Sequence, residues 1–143
     1  MGKSTSLLIG LFLAMAAALS HSEIVVIVHA DNPVSKLSQQ EIQRLFLGRM
    51  NLFPGSNLQV NAIDHSTTTE LHNRFYSDVI QMSQSKLKRY RAYHLFSGKG
   101  RLPMEMSSTR DILEYVASSK HAIAYIEAPD VTQGVKVIYR LGE

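Results

Sequence analysis

Apolar and polar positions along the chain predict strands separated by helices. Residues 24–28 (IVVIV) form a β-branched run that is apolar on both faces, which predicts a buried strand. Residues 58–63, 122–127 and 135–140 predict three further strands. Four segments with helical spacing lie between them, in the order β-α-β-α-α-α-β-β. This order indicates an α/β domain whose sheet is mainly parallel, with one antiparallel edge strand, and is flanked by helices.

Two of the predicted helices carry clear local signals. Ser38 and Glu41 form a capping box at the start of the first helix, and Gly48 follows its last apolar residue. In the second helix, an apolar stripe at i, i+4 and i+8 predicts a buried face; it consists of Leu71, Phe75 and Val79.

The first residues predict a secretory signal peptide. Lys3 precedes an apolar or glycine run of 13 residues (7–19), and small residues allow cleavage after Ser20 or Ser22. The run is shorter than the roughly 20 residues that span a membrane, so a retained N-terminal anchor is the less favoured alternative. We therefore expect a signal peptide over 1–20, a domain over 21–143, and a periplasmic protein with no stable membrane span.

Composition excludes several classes of function. The net charge of +3 is too small to favour nucleic-acid binding, and the absence of cysteine excludes disulfides and a lipoprotein anchor. His65 and His72 lack a set of converging metal ligands, and no GxSxG nucleophile elbow occurs. We expect no cofactor, no metal and no enzymatic activity. The basic segment 86–94 is interpreted as a solvated helix face with Leu87, Tyr90 and His94 turned inward.

A run of hydroxyl residues between the second strand and second helix is the first candidate site. Ser66, Thr67, Thr68 and Thr69 precede the N-terminus of the helix, where free N–H groups and the helix dipole favour an anion. Asp64 could accept a hydrogen bond from a protonated oxyanion such as hydrogen phosphate. The alternative is a helix cap, with Thr67 and Glu70 forming a capping box and the other hydroxyls facing water.

The loop 97–101 (SGKGR) is the second candidate. Its two glycines allow backbone N–H groups to approach a ligand, and Lys99 and Arg101 add positive charge. The same composition is common in ordinary turns, so this alternative also stays open.

Three segments resemble the substrate-binding proteins of phosphate ABC transporters, a family of type II periplasmic binding proteins. They are the strand and helix of 24–49, the segment VNAIDHSTTTELHNRFY and the strand AIAYIE. DHSTT stands where that family has the phosphate loop DGSGT. By this resemblance Ser66 and Thr68 correspond to phosphate ligands, Thr67 to the glycine whose N–H contacts the anion, and Asp64 to the aspartate of the loop.

The resemblance implies a single periplasmic-binding-protein-like lobe that binds phosphate or a similar small oxyanion for transport or sensing. An ABC permease, a sensor or another envelope protein would be its partner. The arginine two residues before the family's aspartate is Ala62 here, so Lys99 or Arg101 is expected to supply the missing charge. An alternative is a lobe that binds no ligand and acts as an envelope interaction or structural protein. Three departures from the family favour it: the missing arginine, the replacement of both loop glycines and the short chain.

Overall fold

The computed structural model describes residues 21–98 and 100–143; the predicted signal peptide and Lys99 lie outside them. The described strands are β1 (Ile24–His29), β2 (Asn61–His65), β3 (Met104–Met106), β4 (Ala122–Glu127) and β5 (Val135–Arg140). The described helices are α1 (Gln39–Phe46), α2 (Glu70–Arg74), α3 (Gln84–Ser97) and α4 (Thr109–Ser118). A π-helical segment (Phe75–Ile80) continues α2, and a short 3-10 turn (Ala128–Asp130) follows β4.

The described strands form one mixed sheet in the order β3-β2-β4-β1-β5. β2 pairs in parallel with β3 and with β4. β1 pairs antiparallel with β4 and with β5. β5 lies at the edge of the sheet, so it is an antiparallel edge strand. The predicted α/β class with an antiparallel edge strand is confirmed, with two parallel and two antiparallel pairings among the described strands.

Both faces of the sheet are covered, which explains the unbroken apolar run of β1. Alternate β1 side chains point to opposite faces: Val26 packs with α1 and the π-helical segment, whereas Val25 and Ile27 pack with Ile112 and Val116 of α4. All five residues 24–28 are inaccessible to solvent. The larger core lies on the α1 side, and it positions the end of β2.

Helix boundaries follow from local chemistry. The Ser38 hydroxyl accepts from the N–H of Glu41, and the Glu41 carboxylate accepts from the N–H of Ser38, so the predicted capping box is present. Gln81 has φ +60° and ends the π-helical segment in the left-handed region. None of the described helices is both long enough and apolar enough to cross a membrane.

Candidate functional site

The Asp64 carboxylate lies buried near the end of β2, with 3% of the residue exposed. Its Oδ2 accepts from the hydroxyl of Tyr76 and from Nη2 of Arg91, both at 2.8 Å. Its Oδ1 accepts from the hydroxyl of Tyr125. A buried carboxylate needs such donors because its charge has lost the solvation of water. Both oxygens of Asp64 are therefore engaged within the protein.

Arg91 is the cationic partner of this carboxylate. α3 delivers it from the same face that buries Leu87, and its side chain is 21% exposed. Nη2 also donates to the Tyr76 hydroxyl at 2.8 Å, and the guanidinium carbon lies 5.0 Å from the centre of the Tyr76 ring. No hydrogen bond from Nε or Nη1 of Arg91 is present within the described residues. These two nitrogens therefore keep donors that no described residue uses.

The charges of this cluster shift its pKa values in consistent directions. Burial alone would raise the pKa of Asp64, but the contacts with His72, Tyr125 and Tyr76 hold it below its ordinary value. Burial, together with the neighbouring Asp64 charge, raises the pKa values of Tyr76 and Tyr125 well above the ordinary tyrosine value. Both phenols remain hydrogen-bond donors, and Asp64 remains a carboxylate at neutral pH.

Two histidines complete the surroundings of Asp64. Nε2 of His65 lies 2.8 Å from the Tyr125 carbonyl oxygen, and burial lowers the pKa of this ring. His72 is fully buried, and neither ring nitrogen has a hydrogen-bond partner in the described part of the chain. Its Nε2 is 3.6 Å from Oδ2 of Asp64, beyond hydrogen-bond range but close enough for electrostatic attraction.

The hydroxyl loop divides into a cap and an exposed pair. Thr69, rather than Thr67, caps α2: its hydroxyl accepts from the N–H of His72 and donates to the carbonyl of Ser66. The hydroxyls of Ser66 and Thr68 lie 3.0 Å apart and bond each other. Thr68 and Thr67 are exposed, and Ser66 is half-buried. One residue of the run therefore satisfies the helix end, and the pair of Ser66 and Thr68 faces solvent.

The second candidate loop lies elsewhere. Arg101 is exposed and lines an open groove of about 610 Å³, together with Gly48, Arg49 and Asn61. Asn61 begins β2, whereas Ser66 follows its last residue, so the groove and the hydroxyl loop lie at opposite ends of this strand. The structure brings Asp64 and the hydroxyl run together but does not bring Arg101 to them. Lys99 lies outside the described residues.

Sequence analysis missed the residues that surround Asp64. The sequence pattern places Arg91 on a solvated face and gives Tyr76 and Tyr125 no functional role. A signal for Arg91 exists, because it follows the buried Leu87 by one helical turn and so shares its face. No group of three or more histidine, aspartate or glutamate side chains in the described residues could hold a metal ion.

No protein-family model and no curated protein matches the chain. Solved structures do match it. An ABC-type phosphate transport receptor from Vibrio cholerae superposes with a TM-score of 0.68 at 15% identity, over 82% of this chain and 45% of that chain. This chain shares the fold of the part of the phosphate receptor that it covers, which we call the phosphate-receptor fold. A phosphate ABC transporter substrate-binding protein from Clostridium perfringens, solved with bound phosphate, superposes with a TM-score of 0.67 at 16% identity, over 82% and 44% of the two chains.

PstS from Borrelia burgdorferi shares the phosphate-receptor fold at a TM-score of 0.63 and 11% identity, again over 82% of this chain and 46% of that chain. The chain thus spans a little under half the length of the receptors that it matches. The resemblance found in the sequence is confirmed at the level of the fold. These neighbours are named as binding and transport proteins rather than as enzymes.

Proposed function

We propose that this chain is a periplasmic binding module for phosphate or a similar small oxyanion, which serves transport or sensing together with a permease or sensor protein. One observation carries the proposal. The hydroxyls of Ser66 and Thr68 lie 3.0 Å apart on the loop that follows β2, two and four residues beyond Asp64, which is paired with Arg91. The phosphate-receptor fold supports it, because the neighbours that share this fold are named for phosphate transport.

The side chains have separate tasks in this proposal. Ser66 and Thr68 each donate a hydroxyl hydrogen to the anion, which replaces the hydrogen bond that they now make with each other. Exposed Thr67 contributes its N–H, as the resemblance implies. Arg91 supplies the charge that Ala62 cannot, through the edge of its guanidinium that is not bound to Asp64. Asp64 positions Arg91, and Arg101, at the other end of β2, stands outside the proposed site.

The proposed site is open, which limits its affinity. Thr67 and Thr68 are exposed, so water and salt screen any ion pair formed there. The chain also spans less than half of the receptors that share its fold. We expect dissociation constants in the millimolar range for phosphate, and tighter binding if a second protein covers the anion.

Calorimetric titration of the protein with phosphate and with sulfate tests the proposal. The double variant Ser66→Ala with Thr68→Val removes both hydroxyls and should abolish the heat of binding. The matched control, Ser107→Ala with Thr132→Val, removes two exposed hydroxyls for which no hydrogen bond is present in the described residues. Binding by the wild type and the control, but not by the double variant, supports the site. Equal heats from all three proteins, or no heat from the wild type, refute it.

A second candidate function is an envelope interaction protein that has the same fold but does not bind a ligand. The exposed apolar side chains at the end of α3 favour it, because large exposed apolar groups that lie together mark contact surfaces. Absence of phosphate binding by the wild-type protein would make this the better assignment.

A further inference from the structure

The last turn of α3 exposes three large apolar side chains. Phe96 is 93% exposed, Tyr93 71% and Leu95 69%, and we call these three residues the α3 tip. Exposure of this size is unfavourable in water, since burying one such side chain is worth more than any single surface ion pair. The two cores do not use the α3 tip.

The attachment of α3 leaves this surface free. The helix packs on the domain through buried Leu87, half-buried Tyr90, whose hydroxyl donates to the Leu47 carbonyl at 2.6 Å, and Arg91. Arg89 and Phe96 are seven residues apart, so they share a stripe on the opposite side of the helix. On that outer side, the cations lie toward the N-terminus of α3 and the α3 tip lies at its C-terminus.

The cations on the outer side of α3 are Lys86, Lys88 and Arg89, all exposed. They belong to a larger asymmetry of charge: residues 79–104 contain six lysines and arginines and no acidic residue. The whole chain has a net charge of only +3, so the remainder of the sequence is acidic overall. The outer side of α3 therefore combines the positive charge of Lys86, Lys88 and Arg89 with exposed aromatic and aliphatic groups.

We propose that the outer face of α3 binds the surface of a bilayer rich in anionic phospholipid. The charge is complementary to lipid phosphates, and each lysine or arginine near such a surface adds to the attraction. Tyrosine, phenylalanine and leucine are the side chains that enter the boundary between headgroups and acyl chains. Arg89 and Phe96 are separated by about 10 Å along the helix axis, which lets the cations stay among the headgroups while the tip enters the bilayer.

Flotation of the protein with lipid vesicles tests this proposal. Vesicles of equal parts phosphatidylglycerol and phosphatidylcholine should carry the protein, whereas vesicles of phosphatidylcholine alone should not. Leu95→Ser with Phe96→Ser should weaken binding by about tenfold or more. Lys86→Ser with Lys88→Ser and Arg89→Ser should weaken it by about a hundredfold at low salt.

Matched control variants distinguish binding through α3 from nonspecific binding through any exposed cation or apolar side chain. Val131→Ser removes an exposed apolar group far along the chain, and Lys36→Ser with Arg44→Ser and Lys120→Ser removes three exposed cations outside α3. All variants change exposed side chains, and thermal unfolding followed by circular dichroism verifies that each is folded. The control variants should float with anionic vesicles as the wild type does.

The contrary outcomes are equally specific. No flotation of the wild type, equal losses in the α3 variants and their controls, or equal binding to neutral vesicles overturns the proposal. Binding to polyglutamate that depends on α3, without vesicle binding, also overturns it and indicates an acidic protein partner instead. The Ser66 and Thr68 double variant should still float, so this result is independent of phosphate binding.

Discussion

Arg91 of α3 donates from Nη2 to Oδ2 of Asp64 at 2.8 Å and joins the third described helix to the end of β2. This contact gives the buried carboxylate of Asp64 a cationic partner. Ala62, two residues earlier in β2, has no charge and cannot take that role. The contact also places a guanidinium on Asp64, two residues before the hydroxyl loop in sequence. The arrangement makes α3 part of the site, although the helix is distant from β2 in sequence.

The Arg91–Asp64 pair should be strongly coupled in stability. Arg91→Met leaves a buried carboxylate without its cation and should lower the free energy of unfolding by about 3 kcal/mol, the low end for buried pairs because Arg91 is partly exposed. The double variant Asp64→Asn with Arg91→Met should lose about 1–3 kcal/mol less than the sum of the two single variants. Urea denaturation of the four proteins measures this coupling, and strictly additive losses would refute it.

Tyr125 should contribute through its hydroxyl as well as its ring. The hydroxyl donates to Asp64 and accepts from the N–H of His65, while the ring stacks on Phe75 with centroids 3.7 Å apart. Tyr125→Phe keeps the stack and should cost about 1–3 kcal/mol, because it leaves buried polar groups unpaired. Tyr139→Phe is the control, expected within about 0.5 kcal/mol of the wild type. Equal melting temperatures for the two variants would contradict the assignment.

Stability should fall in two steps as the pH is lowered. Burial lowers the pKa of His65 below its ordinary value of 6.5, so the unfolded chain binds this proton more readily than the folded protein does. The contribution of His65 to the free energy of unfolding is fully present above pH 6.5, the ordinary pKa of the unfolded chain. It is lost as the pH falls through the lower pKa that His65 has in the folded protein. Asp64, with a pKa held below 3.8, adds a second loss that begins below that pH.

Denaturation curves recorded from neutral to acidic pH check this prediction. His65→Gln, which can still donate to the Tyr125 carbonyl, should remove the first step and leave the second. A wild-type stability that does not change between pH 7 and pH 5 would contradict the expected contribution of His65.

Gly48 and Gly55 form a matched pair of glycines. Both have positive φ, +71° and +72°, but a Cβ on Gly48 would lie 2.8 Å from the Arg101 carbonyl oxygen, whereas Gly55 has open space. Gly55→Ala should cost about 1 kcal/mol from backbone strain alone. Gly48→Ala should cost about 1–3 kcal/mol more, because the loop at Arg101 must also move. A smaller loss for Gly48→Ala than for Gly55→Ala in urea denaturation would show that the loop yields freely.

The elements that local chemistry specifies could be predicted from the sequence. The capping box of Ser38 and Glu41 and the buried run of β1 are present as expected, because each depends on neighbouring residues. β3 is not predicted, because its three residues are too few for a strand pattern and are held mainly by pairing with β2. The sequence predicts the helical stripe that begins at Leu71, but it does not predict the change to a π-helical segment at Phe75.

The candidate site was predictable in part. Asp64 and the hydroxyls of Ser66 and Thr68 are adjacent in sequence, so the pattern that marks them is local. Arg91 and Tyr125 reach Asp64 from 27 and 61 residues away. Their roles depend on which side chains the fold turns toward the end of β2. Helical spacing from Leu87 places Arg91 rather than Arg89 on the packed face, but it does not show what that face contacts.

The place of β1 at the interior of the sheet determines when the protein can fold. Val26 of β1 pairs with Tyr125 of β4 on one side and with Tyr139 of β5 on the other. β1 is the first described strand, and it cannot pair until β4 and β5, the last two, have been synthesised. A nascent chain that still lacks β4 and β5 has no partner for its most apolar strand. Formation of the sheet must therefore follow synthesis of residues 122–140, and its rate should be slow for a domain of this size, as expected when the central contacts join distant segments.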